Sequence, residues 1–349
     1  MNFEKYLLEQ MNRHPSTQPQ DIVKHCYQAA YGAEHLLSDR DAARNYLERE
    51  YALTEAENVE VYERLSEDVC RVNLAAWKKK GLPLEWLFNM FAACACIKEN
   101  AHELFCSYLK AAEKIVMQGQ TGFLFSDWQS YLANYKKTGM TAVHHSPQYR
   151  ECERPAYRIV DSRYVRLLPI LELAEREMRG GRVCVIAIDG RAASGKTTMS
   201  KQLKLILDAD IIQMDDFFLP AELRTEERFH TPGANVHYER FIEEVLPNLS
   251  RPESFSYRIF DCSKMDYAGE CVIGKKPFRI VEGSYSCHPA FGKYASITVF
   301  SDIKSEEQIK RIYHRNGVHM LEMFRERWIP LEEKYFEHYL IQQNADVSL

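Results

Sequence analysis

The chain has 349 residues, 46% of them hydrophobic, and a formal net charge of −5 at pH 7. That length favours two domains with ample apolar residues for their cores, and mild acidity without a long basic run argues against a general nucleic-acid binder. The amino terminus, Met1-Asn2-Phe3-Glu4-Lys5, has no basic-then-apolar leader, and no run of about 18 apolar residues occurs, so a cytoplasmic protein without a membrane partner is expected. The ten cysteines are expected as reduced thiols, since Cys94-Ala95-Cys96 is one residue too short for Cys-x-x-Cys and no paired zinc spacing appears.

In chain order, apolar or small residues at Ile22, Cys26, Ala29, Ala30, Ala33 and Leu37 recur at helical spacing after a capping Asp21, which predicts a helix over 21–37. Further helices are expected over about 41–51, 59–69, 84–98 and 101–117, punctuated by Gly81-Leu82-Pro83 and Gly119-Gln120-Thr121-Gly122. Periodicity weakens over 137–164, where Gly139, Pro147 and Pro155 mark a domain boundary, and 164–179 reads as one more helix closed by Gly180-Gly181. An all-α helical domain over 1–162 is therefore expected before a second domain over 163–349. Its helices offer a surface for a protein partner or a second copy of the chain.

From there the pattern alternates: strand 183–188, helix 196–207, strand 210–214, helix 238–246, strands 278–282 and 296–300, then helices 305–315 and 319–341. Such an order predicts an α/β fold with a doubly wound parallel sheet and ligands at the carboxyl ends of its strands.

The first of those strands feeds Gly190-Arg191-Ala192-Ala193-Ser194-Gly195-Lys196-Thr197-Thr198, a Gly-x-x-x-x-Gly-Lys-Thr phosphate loop of the P-loop NTPase type. Glycines let successive N–H groups curl around one anion, and the helix that opens at the loop adds the positive end of its dipole. The expected nucleotide-binding residues are Gly190, Ala193, Ser194, Gly195, Lys196, Thr197 and Thr198. Lys196 would reach the β- and γ-phosphates of ATP, and the Thr197 hydroxyl would ligate Mg2+.

Acidic groups fall at two strand ends beside that loop. Asp215, at the end of Ile211-Ile212-Gln213-Met214, is positioned to accept an alcohol's proton or to cap a turn. Asp216 either caps or contacts metal-bound water, and Glu282, before Gly283, either holds Mg2+ or forms a solvated strand end. Arg311 and Arg315, four residues apart on one helical face, can close over a triphosphate; Arg325 and Arg327 either join them or are ordinary surface arginines. In the first half, Glu34-His35 and His144-His145 are polar clusters near a helix end and in the irregular segment, where ligand contacts and plain surface roles are both open.

On these residues, 183–349 resembles the uridine kinase and phosphoribulokinase branch of the phosphate-loop kinases. The resemblance is carried by the loop at 190–198, Asp215-Asp216-Phe217-Phe218, the block Thr231-Pro232-Gly233-Ala234-Asn235-Val236-His237-Tyr238-Glu239-Arg240-Phe241, the pair Phe260-Asp261, Glu282-Gly283, the arginine pair and the final Asn344-Ala345-Asp346-Val347. It implies Asp215 as base, Lys196 as phosphate clamp, Thr197 and Glu282 on the magnesium side, and Arg311 and Arg315 as a lid. The chain departs from the family at His230-Thr231-Pro232, where uridine-phosphorylating members have Asp-His-Pro, and at Phe260, where they place a tyrosine against the base. Both departures count against uridine as acceptor. The expected activity is transfer of the γ-phosphoryl group of ATP to a hydroxyl of a small nucleoside-, sugar- or vitamin-precursor-like metabolite. The alternative is a nucleotide-dependent ATPase or switch whose helical domain binds a protein.

Overall fold

Every residue of the strand Cys184–Gly190 is buried, as a strand covered on both faces requires. The computed structural model describes residues 2–33, 37, 39–95 and 99–349, and the chain divides into two compact units, Met1–Leu168 and Pro169–Leu349. Ten strands run, in chain order, β1 (Tyr62–Arg64), β2 (Val69–Asn73), β3 (Tyr157–Asp161), β4 (Cys184–Gly190), β5 (Asp210–Gln213), β6 (Phe255–Asp261), β7 (Asp266–Ile273), β8 (Phe278–Glu282), β9 (Ile297–Ser301) and β10 (Val347–Ser348) among the described residues.

In the second unit, five strands form a sheet in the order β10-β9-β4-β8-β5, and each neighbouring pair is parallel. Ile186 of β4 lies between Ile280 of β8 and Ile297 of β9, so the apolar runs read from sequence meet side by side. With all five strands pointing one way, the carboxyl ends of β4, β5 and β8 bring the loop at 190–195, Asp215 and Glu282 to one edge. Val185, Ile212, Phe217, Phe241, Phe300 and Tyr335 are among the residues that fill the core. The α/β expectation for this unit is met by the sheet.

Two features of this unit depart from the expected list. An antiparallel hairpin, β6 with β7, carries a bulge between Ile259 and Phe260, and its alternating polar residues hid it among the loops. The helices expected over 305–315 and 319–341 are instead Ser305–Met323, broken at Gly317 (φ 76°), then a π-helical turn Phe324–Trp328 and the helix Ile329–Tyr339. Gly317 supplies a conformation that side chains resist, and Pro330, just past the π-helical turn, removes a donor.

The first unit corrects the all-α expectation. Three strands form an antiparallel sheet, β1-β2-β3, with helices packed around it. The helix expected over 59–69 is in fact β1, a tight turn and the start of β2: Leu65 and Ser66 both donate to the Val69 carbonyl, at 2.8 and 3.2 Å. Ser66-Glu67-Asp68 is turn chemistry between the apolar Leu65 and Val69, whose spacing mimics a helix. β3 comes from the segment read as irregular. It pairs Tyr157 with Asn73 and Asp161 with Val69, contacts some ninety residues apart that no local pattern can show.

The helix expected over 21–37 spans Pro19–Tyr31, that over 84–98 spans Leu84–Ala93, and that over 164–179 is two pieces, Ser162–Val165 and Leu168–Met178. Ala101–Met117 is helical end to end. Ile22, Cys26, Trp77, Phe88, Phe105 and Trp128 are buried in this unit. Glu34, His35 and Cys96 lie outside the described residues. No helix among the described residues is long and apolar enough to cross a membrane.

Candidate active site

The loop after β4 is held from three sides. Gly190 has φ 134°, and a Cβ there would stand 2.1 Å from the Ser301 carbonyl oxygen on β9, so only glycine fits. Arg191 makes a two-pronged contact with Glu333, Nε to Oε1 at 2.6 Å and Nη2 to Oε2 at 2.9 Å. The Ala192 N–H donates to Glu332 Oε2 at 2.9 Å, and Gln308 Nε2 donates to the Ala192 carbonyl at 3.0 Å. Ala193 and Gly195 then take positive φ, 59° and 104°. The helix Lys196–Leu207 starts directly afterwards, and its first-turn N–H groups have no acceptor within the helix. Curled backbone plus free donors make an anion cradle with the helix dipole behind it.

Lys196 is buried, and its Nζ donates to the carbonyls of Gly190 at 2.7 Å and Arg191 at 2.9 Å. The Thr197 hydroxyl donates to Glu282 Oε1 at 2.9 Å. Asp215 follows β5 in a short 3-10 turn, Met214–Phe217. Ala193, Gly195, Lys196, Thr197, Thr198, Asp215, Glu282, Arg311 and Arg315 all line one cleft of about 610 Å3. That gathers groups from four chain segments.

Burial sets the electrostatics of the carboxylates. Desolvation raises the pKa of Asp215, although its side chain opens to the cleft, with Lys196 and Arg315 pulling it back. Glu282 is raised for the same reason, against the hydrogen bond from Thr197. Two more acids, neither anticipated, complete the set. Glu332, on the helix Ile329–Tyr339, is raised by burial and accepts from the Ser284 hydroxyl at 2.7 Å as well as from Ala192. Asp189, also raised by burial, accepts from the N–H groups of Gly190 (2.7 Å), Tyr285 (3.0 Å) and Cys287 (2.9 Å) and from the Tyr335 hydroxyl (2.9 Å). It ties the end of β4 to the turn after β8. An acid ending an apolar strand was a visible signal for Asp189; Glu332, some 140 residues from the loop, had none.

Three expected ligands are placed otherwise. Asp216 does not line the cleft: the Tyr257 hydroxyl donates to its Oδ2 at 2.7 Å, and Arg240 grips its carbonyl. Consecutive residues in a 3-10 turn point about 120° apart, so adjacent acids cannot share a role here. Gly190 also lies outside the lining, acting through its carbonyl on Lys196, and the Ser194 hydroxyl is buried without a partner.

Of the arginines, Arg311 donates from Nη1 to the Ala193 carbonyl at 3.3 Å, so it already touches the loop. Arg327 lies 4.4 Å from the Phe229 ring centroid, and neither it nor Arg325 lines the cleft. The lining also holds Phe218, Arg224, Asn235, Cys262, Phe324 and Trp328. Phe260 is buried edge-on to Tyr267 and is not part of that lining.

His145 belongs to the first unit, where it is buried between Asp21 (Nδ1 to Oδ1, 2.8 Å) and the Tyr157 hydroxyl (2.7 Å). His144 is exposed, and its carbonyl accepts from Gln20.

No protein-family model matches the chain, and no curated protein matches it significantly. Among solved structures it is similar to a possible uridine kinase from Bacillus stearothermophilus, at 17% identity over 52% of this chain and 98% of that one, with a TM-score of 0.39. It is also similar to a putative fructose transport system kinase from Silicibacter sp. TM1040, at 18% identity over 48% of this chain and 90% of that one, with a TM-score of 0.39. Likenesses this distant leave the activity to be read from the site itself.

Proposed function

We propose that the protein is an ATP-dependent kinase that transfers the γ-phosphoryl group to a hydroxyl of a small metabolite. One observation carries this reading: Asp215, a carboxylate of raised pKa, lines the same cleft as Lys196, Thr197 and Glu282. A cradle alone suits any nucleotide binder. A base facing it suits transfer to an alcohol.

In this reading the N–H groups at 195–198 hold the phosphates, and Lys196 leaves its two carbonyl acceptors to neutralise the β- and γ-oxygens. Asp215 takes the proton from the acceptor hydroxyl as that oxygen bonds to the γ-phosphorus. The bond from phosphorus to the bridging oxygen breaks, and its electron pair leaves on ADP. Arg311 and Arg315 stabilise the charge that builds up on the equatorial oxygens. The raised pKa brings Asp215 closer to neutrality, where a general base works best.

Thr197 and Glu282 fit a magnesium ion, since a hydroxyl and a carboxylate 2.9 Å apart beside the cradle are the hard oxygen donors it favours. Bound there, Mg2+ would neutralise phosphate charge and orient the transferred group. The acceptor wall, with Phe218, Phe324 and Trp328 beside Arg224 and Asn235, suits a compact polar alcohol with an apolar face.

The test is incubation with ATP, magnesium and a panel of nucleosides, sugars and vitamin precursors, followed by mass spectrometry of the products. A phosphorylated acceptor that disappears with Asp215→Asn, while ATP still binds, is the expected result. ATP hydrolysis without any acceptor, undiminished by Asp215→Asn, would overturn the reading in favour of a nucleotide-driven switch.

A further inference from the structure

A second polar centre lies in the first unit, and its middle is a buried arginine. Arg71 of β2 is 4% exposed. Its Nε and Nη2 donate to Gln28 Oε1 at 3.0 and 2.7 Å, and its Nη1 donates to Gln10 Oε1 at 3.1 Å. The guanidinium carbon stands 4.6 Å from the centroid of the Tyr157 ring. All of these partners are neutral. An amide oxygen satisfies an N–H without cancelling its charge, so the cation is offset only through space, by Glu63 and Asp21, in a place where charge is costly to hold.

The carboxylates around it are committed elsewhere. Glu63 accepts from Gln10 Nε2 at 2.9 Å and contacts His14 Nε2 at 3.2 Å. Glu153 contacts His14 Nδ1 at 2.9 Å and accepts from the Ser16 hydroxyl at 2.5 Å. Burial opposes a charge on His14, yet its hydrogen bonds to Glu63 and Glu153 prevail and raise its pKa, so the three form one clasped group. Asp21 accepts from His145 Nδ1 and from the N–H and hydroxyl of Ser146 at 2.8, 3.0 and 2.6 Å. Arg71 makes no ion pair among the described residues.

The arginine is also held still. With Nδ1–H of His145 given to Asp21, its Nε2 accepts the Tyr157 proton at 2.7 Å, and Gln28 Nε2 donates to the Tyr157 oxygen at 3.1 Å. Asp21, His145, Tyr157 and Gln28 thus form a chain that orients the guanidinium. At its end, Arg71 forms part of the wall of a cavity of about 60 Å3, together with Asn73, Tyr157, His14, Glu63 and, at an exposed position, Arg154. Asn73 Oδ1 caps the following helix by accepting from Ala75 and Ala76, which leaves its amide N–H2 as a donor. With His14 protonated, the lining holds three cations, Arg71, Arg154 and His14, against two carboxylates, Glu63 and Glu153.

We propose that this cavity binds a small anionic group, a carboxylate or a phosphate, gripped by Arg71 and closed over by Arg154. The planar guanidinium suits both oxyanions, since either accepts paired N–H bonds. The room fits one such group, free or at the end of a larger molecule.

The test follows the Arg71 Nε–H signal of the full chain by NMR while inorganic phosphate or acetate is added. This local reporter is insensitive to phosphate taken up by the loop at 190–198. A saturable shift with phosphate alone assigns the site to phosphate groups, one with acetate alone assigns it to carboxylates, and one with both means that charge is read more than shape. Arg154→Ala and Tyr157→Phe are expected to weaken the response about tenfold each, as loss of a charged or an orienting partner should. If Tyr157→Phe does not fold, Arg154→Ala, an exposed change, decides alone. The proposal is overturned if neither anion moves the signal, or if the folded variants respond as the parent does.

Discussion

Two groups of acidic side chains, one around Arg71 in the first unit and one around the cleft of the second, have their proton affinities shifted in opposite directions. In Met1–Leu168, hydrogen bonds outweigh burial, and the pKa values of Asp21, Glu153 and Glu63 are all lowered, Glu63 to about 2. In Pro169–Leu349, burial outweighs its opponents at Asp189, Asp215, Glu282 and Glu332, and all four are raised. Carboxylates of the first kind are committed to holding helices and strands together. Those of the second kind keep proton affinity in reserve, which is what a base or an ion-binding cleft needs.

The sharpest way to break this contrast is at Asp215. Asp215→Asn is expected to lower kcat by about 10^2 to 10^4, the usual weight of a general base, with nucleotide affinity measured by calorimetry nearly unchanged. Next comes the loop. Gly190→Ala should destabilise the second unit by on the order of 3 kcal/mol in urea unfolding, because the added Cβ meets the Ser301 backbone and φ 134° is hostile to a side chain.

The first unit should respond to acid through its histidines. His25 and His145 are pushed by burial from an ordinary 6.5 to about 3 and about 4. A lowered folded value means that their contribution is complete above pH 6.5 and lost as the pH falls, costing on the order of 3 kcal/mol per histidine by about pH 4. His14 has the opposite sign: its contribution is complete below 6.5 and fades as the pH rises through its raised value. Two groups against one leave a net loss on acidification, which hydrogen exchange along β2 and β3 should follow. Stability unchanged from pH 7 to 4 would contradict the neutral, buried state of His25 and His145.

The acidic limb of the kcat/KM profile should lie above the ordinary aspartate range, since Asp215 must be ionised to work and its pKa is raised. The smallest effect is expected next door. Asp216→Asn should change kcat by less than about threefold, because its carboxylate serves Tyr257 and not the cleft. Equal losses at 215 and 216 would erase the distinction between the two acids.

Much of the second unit could be read directly. Cys184–Gly190 is an apolar run ended by glycine, and Asp210–Gln213 and Phe278–Glu282 each deliver an acid at their carboxyl ends. Spacing fixed at the loop, and period and position elsewhere, are local properties. The hairpin β6–β7 escaped because its faces are mixed in polarity, and the sheet of the first unit escaped because β2 finds its partner β3 far along the chain.

The order of residues alone determined where the anion cradle lies, that a parallel sheet supports it, and which acids and arginines are candidates around it, since each follows from short-range chemistry and strand alternation. Only the tertiary structure decided that Asp215 joins the cleft while Asp216 turns to Tyr257, that Glu332 and Glu333 brace the loop, and that His145 orients a buried arginine. Those outcomes depend on side-chain direction and on contacts between distant segments, which the folded chain sets by excluding water and matching most of its buried donors to acceptors.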